Sequence, residues 1–267
     1  EEKIIHEYGL NRIVVCTDAG LSSTSNRKFN NKIINGETVR GFITTQSIKM
    51  LPDNLKEYAL SDNGWHLSGS KKEYTLAEII ESGDTESIYY KDKWIKEDIS
   101  GKRIKSGEKA LEQHLIVSFS LKYMNYQRSV RGRQIERAEK LVESGAHSRK
   151  AHNQNDPKRF IKKQAVTADG EIANVENTYI DRTVIAEEER YDGFYAVCTN
   201  LEEASINDII HVNKKRWQIE ESFRIMKTEF RSRPAYVSTP DHILAHFLTC
   251  FIALTITRIL EMKLEHK

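Results

Sequence analysis

The sequence predicts a mixed α/β fold, and three stretches carry that expectation. Residues 13–15 are a β-branched run that leads into Asp-Ala-Gly, as a buried strand does where it opens into a loop at its C-terminal end. Between residues 48 and 121 short alternating or apolar runs are divided by Gly, Asp and Lys, which reads as a β-rich module. From residue 205 onward the apolar residues recur at helical spacing.

The elements follow in order. "SSTSNRKFNNKIING" reads as a cap and a short polar helix with Gly36 as its stop, and "GFITTQS" as a second strand. "YTLAEII", "SIYYKDKW" and "HLIVSFSLKY" are the β-rich runs of the module, with "DISGKRIKSGEK" as a hairpin tip. Residues 122–163 are the most basic segment, with twelve Lys or Arg against four acidic residues. There Ile135, Ala138, Leu141 and Val142 recur at helical spacing. "VENTYIDRTVIAEEERYDGFYAVCTN" returns to strands, of which "FYAVCTN" is buried and entered through a turn at Asp192-Gly193. "SINDIIHVNKKRWQIEESFRIMKTEF" and "DHILAHFLTCFIALTITRILEMKL" are helices, punctuated by Pro234 and Pro240.

Composition bounds the rest. With 267 residues, 39% hydrophobic and 30% charged, the chain has room for one large or two modest domains and a real core. Its 41 basic and 39 acidic residues nearly cancel, so partners must be read from local charge. Cys16, Cys198 and Cys250 each lie in an apolar run without ligand spacing, which predicts core thiols and is compatible with a reducing setting. No signal peptide opens the sequence, and "HFLTCFIALTITRIL" falls short of the roughly 20 residues that span a bilayer. It reads as a buried helix. His6, His211 and His246 show no pairing that suggests zinc or a relay, and His246 reads as a hydrogen-bonded core residue.

"NKKRWQIEESFRIMK", residues 213–227, reads as one helix. At about 100° per residue, Arg216, Glu220 and Lys227 fall within about 40° of one another. Val212, Ile219, Phe223, Met226 and Phe230 form an apolar stripe beside them, so the three polar residues are expected at the edge of a buried face. A carboxylate held there between two cations stays ionised and suits a hard metal ion. The bland reading is an exposed helix with weak i,i+4 ion pairs.

The pattern resembles the DDE transposases of bacterial insertion sequences. One group of these carries Tyr-x-x-Arg-x-x-x-Glu-x-x-x-x-x-x-Lys (YREK) in the last helix of an RNase H-like core. Arg216, Glu220 and Lys227 stand in that register, with Asn213 at the Tyr position. "RIVVCTDAGLSS" looks like the family's strand ending in its second catalytic acid, which makes Asp18 that acid. The resemblance implies a partial RNase H-like core whose first strands and first catalytic Asp lie outside the chain. Residues 1–12, which precede that strand, contain no Asp, and the chain begins with Glu1.

The implied organisation is an N-terminal core part over 1–47, a β-rich insertion with its basic helical segment over 48–190, and a C-terminal core part over 191–267. The implied activity is metal-dependent DNA strand cleavage and transfer, with Asp18 and Glu220 as catalytic and metal-holding acids and Mg²⁺ or Mn²⁺ as cofactor. Arg216 and Lys227 would neutralise phosphate oxygens. Arg128, Arg131 and Arg133 of the basic segment would track the DNA backbone, with Tyr123 and Tyr126 placed to stack. The implied partners are transposon-end and target DNA and a second copy in a synaptic homodimer, in a cytoplasmic, nucleoid-associated setting. Four alternatives stay open: Asp18 as a turn or helix cap, Asp192 as a metal ligand, the whole chain as a catalytically incomplete DNA-binding remnant, and the whole chain as a stand-alone metal-dependent nuclease. For 122–163 the plain alternative is a solvated amphipathic helix.

Overall fold

The loop that leaves the first strand is built by side-chain capping. Asp18 accepts a hydrogen bond from Leu21 N at 3.1 Å, closing a single 3₁₀ turn, and Ser23 then caps α1 (Thr24–Phe29) through Asn26 N. The computed structural model describes residues 6–96, 110–145, 153, 155–166 and 175–265. The expected hairpin tip "DISGKRIKSGEK" lies outside the described residues, as does part of the basic segment. The chain divides into two units, residues 1–203 and 204–267.

The first unit is a mixed α/β layer structure. Its main sheet comprises β1 (Ile13–Thr17), β2 (Lys32–Ile34), β3 (Glu37–Gln46), β4 (Trp65–Leu67), β5 (Glu73–Tyr74), β6 (Tyr89–Ile95), β7 (Gln113–Phe119) and β10 (Phe194–Thr199). The order is β1-β3-β10-β7-β6-β4-β5, with β2 also on β3. Only β1 and β3 run parallel, Thr17 lying opposite Thr44, and the other pairings are antiparallel. The strands of the β-rich stretch thus extend the same sheet as β1 and β3. A separate antiparallel pair joins β8 (Ile161–Val166) to β9 (Val175–Ile180).

β7 lies mid-sheet and is buried on both faces, which is why its sequence is apolar without alternation. Leu115 and Val117 share one cluster with Phe42, Trp65, Phe119 and Cys198, beneath α2 (Asp53–Leu60) and α3 (Leu76–Ser82). Asn200, just past β10, ties neighbouring segments together: its Oδ1 accepts from Phe42 N at 2.9 Å and its Nδ2 donates to Asn31 Oδ1 at 2.8 Å. α4 (Leu121–Glu143) packs Ala138 against Phe160 and Ile185, the latter from α5 (Arg182–Glu189).

Three local expectations differ from the structure. "YTLAEII" is not a β run: Thr75 and Glu78 form a reciprocal capping box that starts α3, and Gly83 at φ 65° ends it. Gly36 does not stop a helix. Asn35 and Gly36, both at positive φ, turn β2 into β3, as Asn-Gly does in a two-residue hairpin. The stretch after β9 is not all strand, since Asp181 accepts from Thr183 N and opens α5.

The second unit is helical: α6 (Ile206–Lys214), α7 (Trp217–Thr228) and α8 (Pro240–Glu265). The expected single helix over 213–227 is divided between α6 and α7. At the junction Arg216 N bonds Asn213 O at 3.3 Å and Gln218 N bonds Lys215 O at 3.0 Å, so i,i+3 bonds replace i,i+4 for about one turn. Arg258 fastens α7 to α8: its NH2 lies 3.2 Å from Glu221 Oε2 and 3.1 Å from Ser222 Oγ, and its NH1 lies 2.7 Å from Glu261 Oε2. His246 Nε2 donates a hydrogen bond to Ser232 O at 3.2 Å, so it is hydrogen-bonded as expected but half-buried rather than in the core.

The C-terminal helix is not the buried helix expected. Cys250 and Leu254 are buried, whereas Leu244, Leu248, Phe251, Ile252 and Ile256 are exposed. Its apolar residues surround the helix, and α7 covers one side of it at Arg258. At 26 residues it also exceeds the short span read from the sequence. Residues 240–264 are long and apolar enough to cross a membrane by length and composition, a property that core helices of soluble proteins share.

Candidate active site

Asp18 stands at the C-terminal end of β1, exposed, beside the end of the parallel strand β3. The capping role and an acid role are compatible, because the cap engages Oδ1 through a single N–H. Behind it Thr17 Oγ1 donates to Thr44 Oγ1 at 2.8 Å, which fixes the two strand ends. Below lies Arg27 of α1, only 5% exposed. It donates to Ser22 O at 2.9 Å, to Gln113 Oε1 at 2.9 Å and to Gln46 Oε1 at 2.7 Å. Arg27 was not singled out from the sequence, where it is one cation among many; only the fold buries it.

In the second unit α7 carries Glu220 in its first turn and Lys227 in its last, with Arg216 at its N-cap position. Glu220 and Lys227 are exposed and Arg216 is half-buried. The apolar stripe beside them is not buried: Val212, Ile219 and Phe223 are all exposed. The reason is that α7 meets α8 through its Gln218, Glu221 and Ser222 side, one or two residues round the helix from Glu220. Glu221 is held by Arg258 at 3.2 Å and Arg224 at 3.6 Å. The neighbouring acids thus divide between an interhelical ion pair and a solvent-facing carboxylate.

α4 separates its arginines equally clearly. Arg131 is 6% exposed, and its guanidinium grips Asp192 with NH1 2.7 Å from Oδ1 and NH2 2.5 Å from Oδ2. Hydrogen bonding and charge attraction from Asp192 push the Arg131 pKa up. Its donors are therefore committed inside the protein, and it is not positioned to track a DNA backbone. Asp192 is likewise buried and engaged, with Arg128 Nε at 3.4 Å as a second partner, so it is not an open metal ligand. Arg128 is half exposed, and Arg133 is exposed with Nε 3.4 Å from Ser129 O. On helical arithmetic Lys122, Tyr126, Arg133, Arg137 and Lys140 share an arc of about 60°, all exposed and opposite Arg131. Tyr126 stacks on Tyr123 with ring centroids 6.4 Å apart.

The thiols are structural. Cys198 and Cys250 are buried and Cys16 partly so, and burial pushes the Cys198 pKa up to about 11 against the opposing pull of Arg27. Among the described residues no three His, Cys, Asp or Glu side chains gather into a metal-holding group. Asp18 in the first unit and Glu220 in the second are both exposed carboxylates, and carboxylate oxygen suits hard ions such as Mg²⁺ or Mn²⁺ rather than a thiophilic ion.

No curated protein and no solved structure matches the chain. A family model described as "Transposase DDE domain" matches residues 86–256, a span that includes Arg216, Glu220 and Lys227 but not Asp18. The match covers more than half of the sequence, and the chain therefore belongs to the transposase DDE domain family.

Proposed function

We propose that this chain catalyses DNA strand cleavage and strand transfer in transposition, with Glu220 and Asp18 as two of its metal-holding acids. The observation that carries the reading is the Arg216–Glu220–Lys227 set on and beside α7, with Glu220 and Lys227 exposed, inside the span matched by the DDE family. Displacement at phosphorus builds charge on the attacking and leaving oxygens, so the chemistry calls for acids that bind cations and cations that face phosphate. When bound, divalent ions supply Lewis-acid polarisation of the phosphate and lower the pKa of the attacking water or hydroxyl. Asp18 and Glu220 would hold them. Arg216 and Lys227 would neutralise non-bridging phosphate oxygens.

The DNA-contacting surface proposed on the first unit is the exposed stripe of α4, from Lys122 through Arg133 to Lys140, with Arg128 at its margin and Tyr126 available for stacking. Arg131 is left out of it. Two DNA ends must be held together for transfer, which calls for a homodimer in a synaptic complex.

The test is Mg²⁺-dependent nicking and strand transfer on oligonucleotide duplexes carrying transposon ends. Glu220→Ala should lower the rate by about 10²-fold or more while leaving duplex affinity within about twofold. Equal transfer by the parent and Glu220→Ala would end the assignment.

A further inference from the structure

α8 has two apolar sides, and α7 covers only one of them. Measured from Leu244 at about 100° per residue, the buried Cys250 and Leu254 stand at about 240° and 280°. Leu248, Ile252 and Ile259 stand on the far side, at about 40°, 80° and 60°, and all three are exposed. Asp241 in the first turn and Lys263 in the last fall on the same far side, at about 60° and 100°, and both are exposed. Among the described residues neither has an ion-pair partner.

This far side reads the same in both directions. Leu244, Leu248, Ile252, Ile256 and Leu260 recur at every fourth position, all are exposed, and Ile252 is their midpoint. Asp241 and Lys263, opposite in charge, stand equally far before and after Ile252. Turning a second copy about a two-fold axis through Ile252 sets aliphatic residue against aliphatic residue and brings each Asp241 toward Lys263 of the other copy. That is the self-complementarity an isologous interface requires. A parallel pairing would bring Asp241 to Asp241 and Lys263 to Lys263. Phe251 and Met262, both exposed, widen the patch, so each copy offers several hundred Å² of apolar surface, the scale of one half of a specific interface.

Other occupants match this surface less well. DNA calls for a row of cations, and between Asp241 and Lys263 this side of the helix carries none. A bilayer would have to take in Arg258 and Glu261 together with the Glu221 and Ser222 side of α7 that Arg258 grips. We propose that the far side of α8 is a homodimer interface, in which two copies pair antiparallel about a two-fold axis at Ile252. Apolar burial drives the association, and the exposed charge pairs at its ends set its direction more than its strength. The pairing needs no DNA. That it serves a synaptic complex rests on the function proposed above.

The experiment is sedimentation equilibrium of the full chain without DNA, across the micromolar range, with helix content followed by circular dichroism. A dimer is expected. Ile252→Glu, at an exposed position, should weaken it by about tenfold or more with helix content unchanged. Asp241→Lys and Lys263→Asp should each weaken it by about threefold or more, and the two together should restore the parent value, because each Lys then meets an Asp again. Under mild oxidation Ile252→Cys should form a disulfide-linked dimer. Leu244→Cys should not do so alone, and should when mixed with Leu260→Cys. A monomer at every concentration, with its helices intact, overturns the proposal and leaves the catalytic reading to its own Glu220→Ala assay. A monomer that floats with vesicles of phosphatidylcholine and phosphatidylglycerol overturns it in favour of a lipid surface. A dimer that survives Ile252→Glu, or that Leu244→Cys links to itself, overturns the antiparallel pairing. The expected dimer, together with equal strand transfer by the parent and Glu220→Ala, would uphold the interface and end the catalytic assignment.

Discussion

Arg131 and Asp192 meet in a buried two-pronged ion pair, 61 residues apart in sequence, that pins α4 to the turn entering β10. Both side chains are less than a tenth exposed, so each is the other's principal compensation. Arg131→Ala should therefore lower the free energy of unfolding by about 3–5 kcal/mol, the range for leaving a buried charge unpaired. Urea unfolding of the purified variant checks it. Parent-like stability would show that Arg131 is not committed to Asp192.

The exposed arginines of the same helix should behave in the opposite way. Arg133→Ala and Arg137→Ala should each weaken duplex binding similarly across sequences and reduce the salt slope of the affinity by about 1. Neither should change stability by more than about 0.5 kcal/mol. Anisotropy titrations at several salt concentrations read this out, and an unaltered slope in both variants would remove α4 from the DNA surface.

Gly193 follows Asp192 at φ 84°, and a Cβ there would lie 2.6 Å from Phe119 Cε2 and 3.0 Å from Met124 Cβ. Gly193→Ala combines a left-handed backbone penalty with overpacking against a buried ring, for a loss of about 2–4 kcal/mol. A clear fall in the thermal midpoint is expected. An unchanged midpoint would mean that this turn relaxes freely.

Lys91, 2% exposed, donates to Ser61 O and Ser61 Oγ, each at 2.8 Å, and lies 4.4 Å over the Trp65 ring. Burial pulls its pKa from 10.5 down to about 8, with Asp62 acting weakly the other way. Between pH 8 and 10 the unfolded chain holds a proton that the folded chain has released, so this residue's contribution to stability rises with pH. The parent should gain stability relative to Lys91→Met across that window. The comparison stops at pH 10 because Tyr58, pushed up to about 12, contributes a fall above it. Parallel pH profiles for parent and variant would refute the shift.

Much of this architecture could be read from local chemistry. The strand at 13–17, the turn into β10 and the helical stretch after residue 205 follow from β-branched runs, Asp-Gly and apolar periodicity. Thr75-x-x-Glu78 and Asn35-Gly36 were equally legible as a capping box and a hairpin turn, but apolar alternation and the stop-signal reading of Gly outweighed them. Other features depend on the tertiary fold. Nothing in the spacing of 122–163 distinguishes Arg131 from Arg133, because only the position of Asp192 decides which arginine is buried. Likewise the choice between Glu220 and Glu221 for solvent rests on Arg258, 37 residues from Glu221. The grouping of Arg216, Glu220 and Lys227 was visible because these residues lie on and beside one helix, where angular spacing is readable.

The proposed cation-holding role of Asp18 and Glu220 is tested most directly by Mn²⁺ titration followed by electron paramagnetic resonance. The parent should bind Mn²⁺, Asp18→Asn and Glu220→Gln should each weaken it by about tenfold or more, and the double variant should lose less than the sum of the two. Parent-like Mn²⁺ affinity in both single variants would contradict the account.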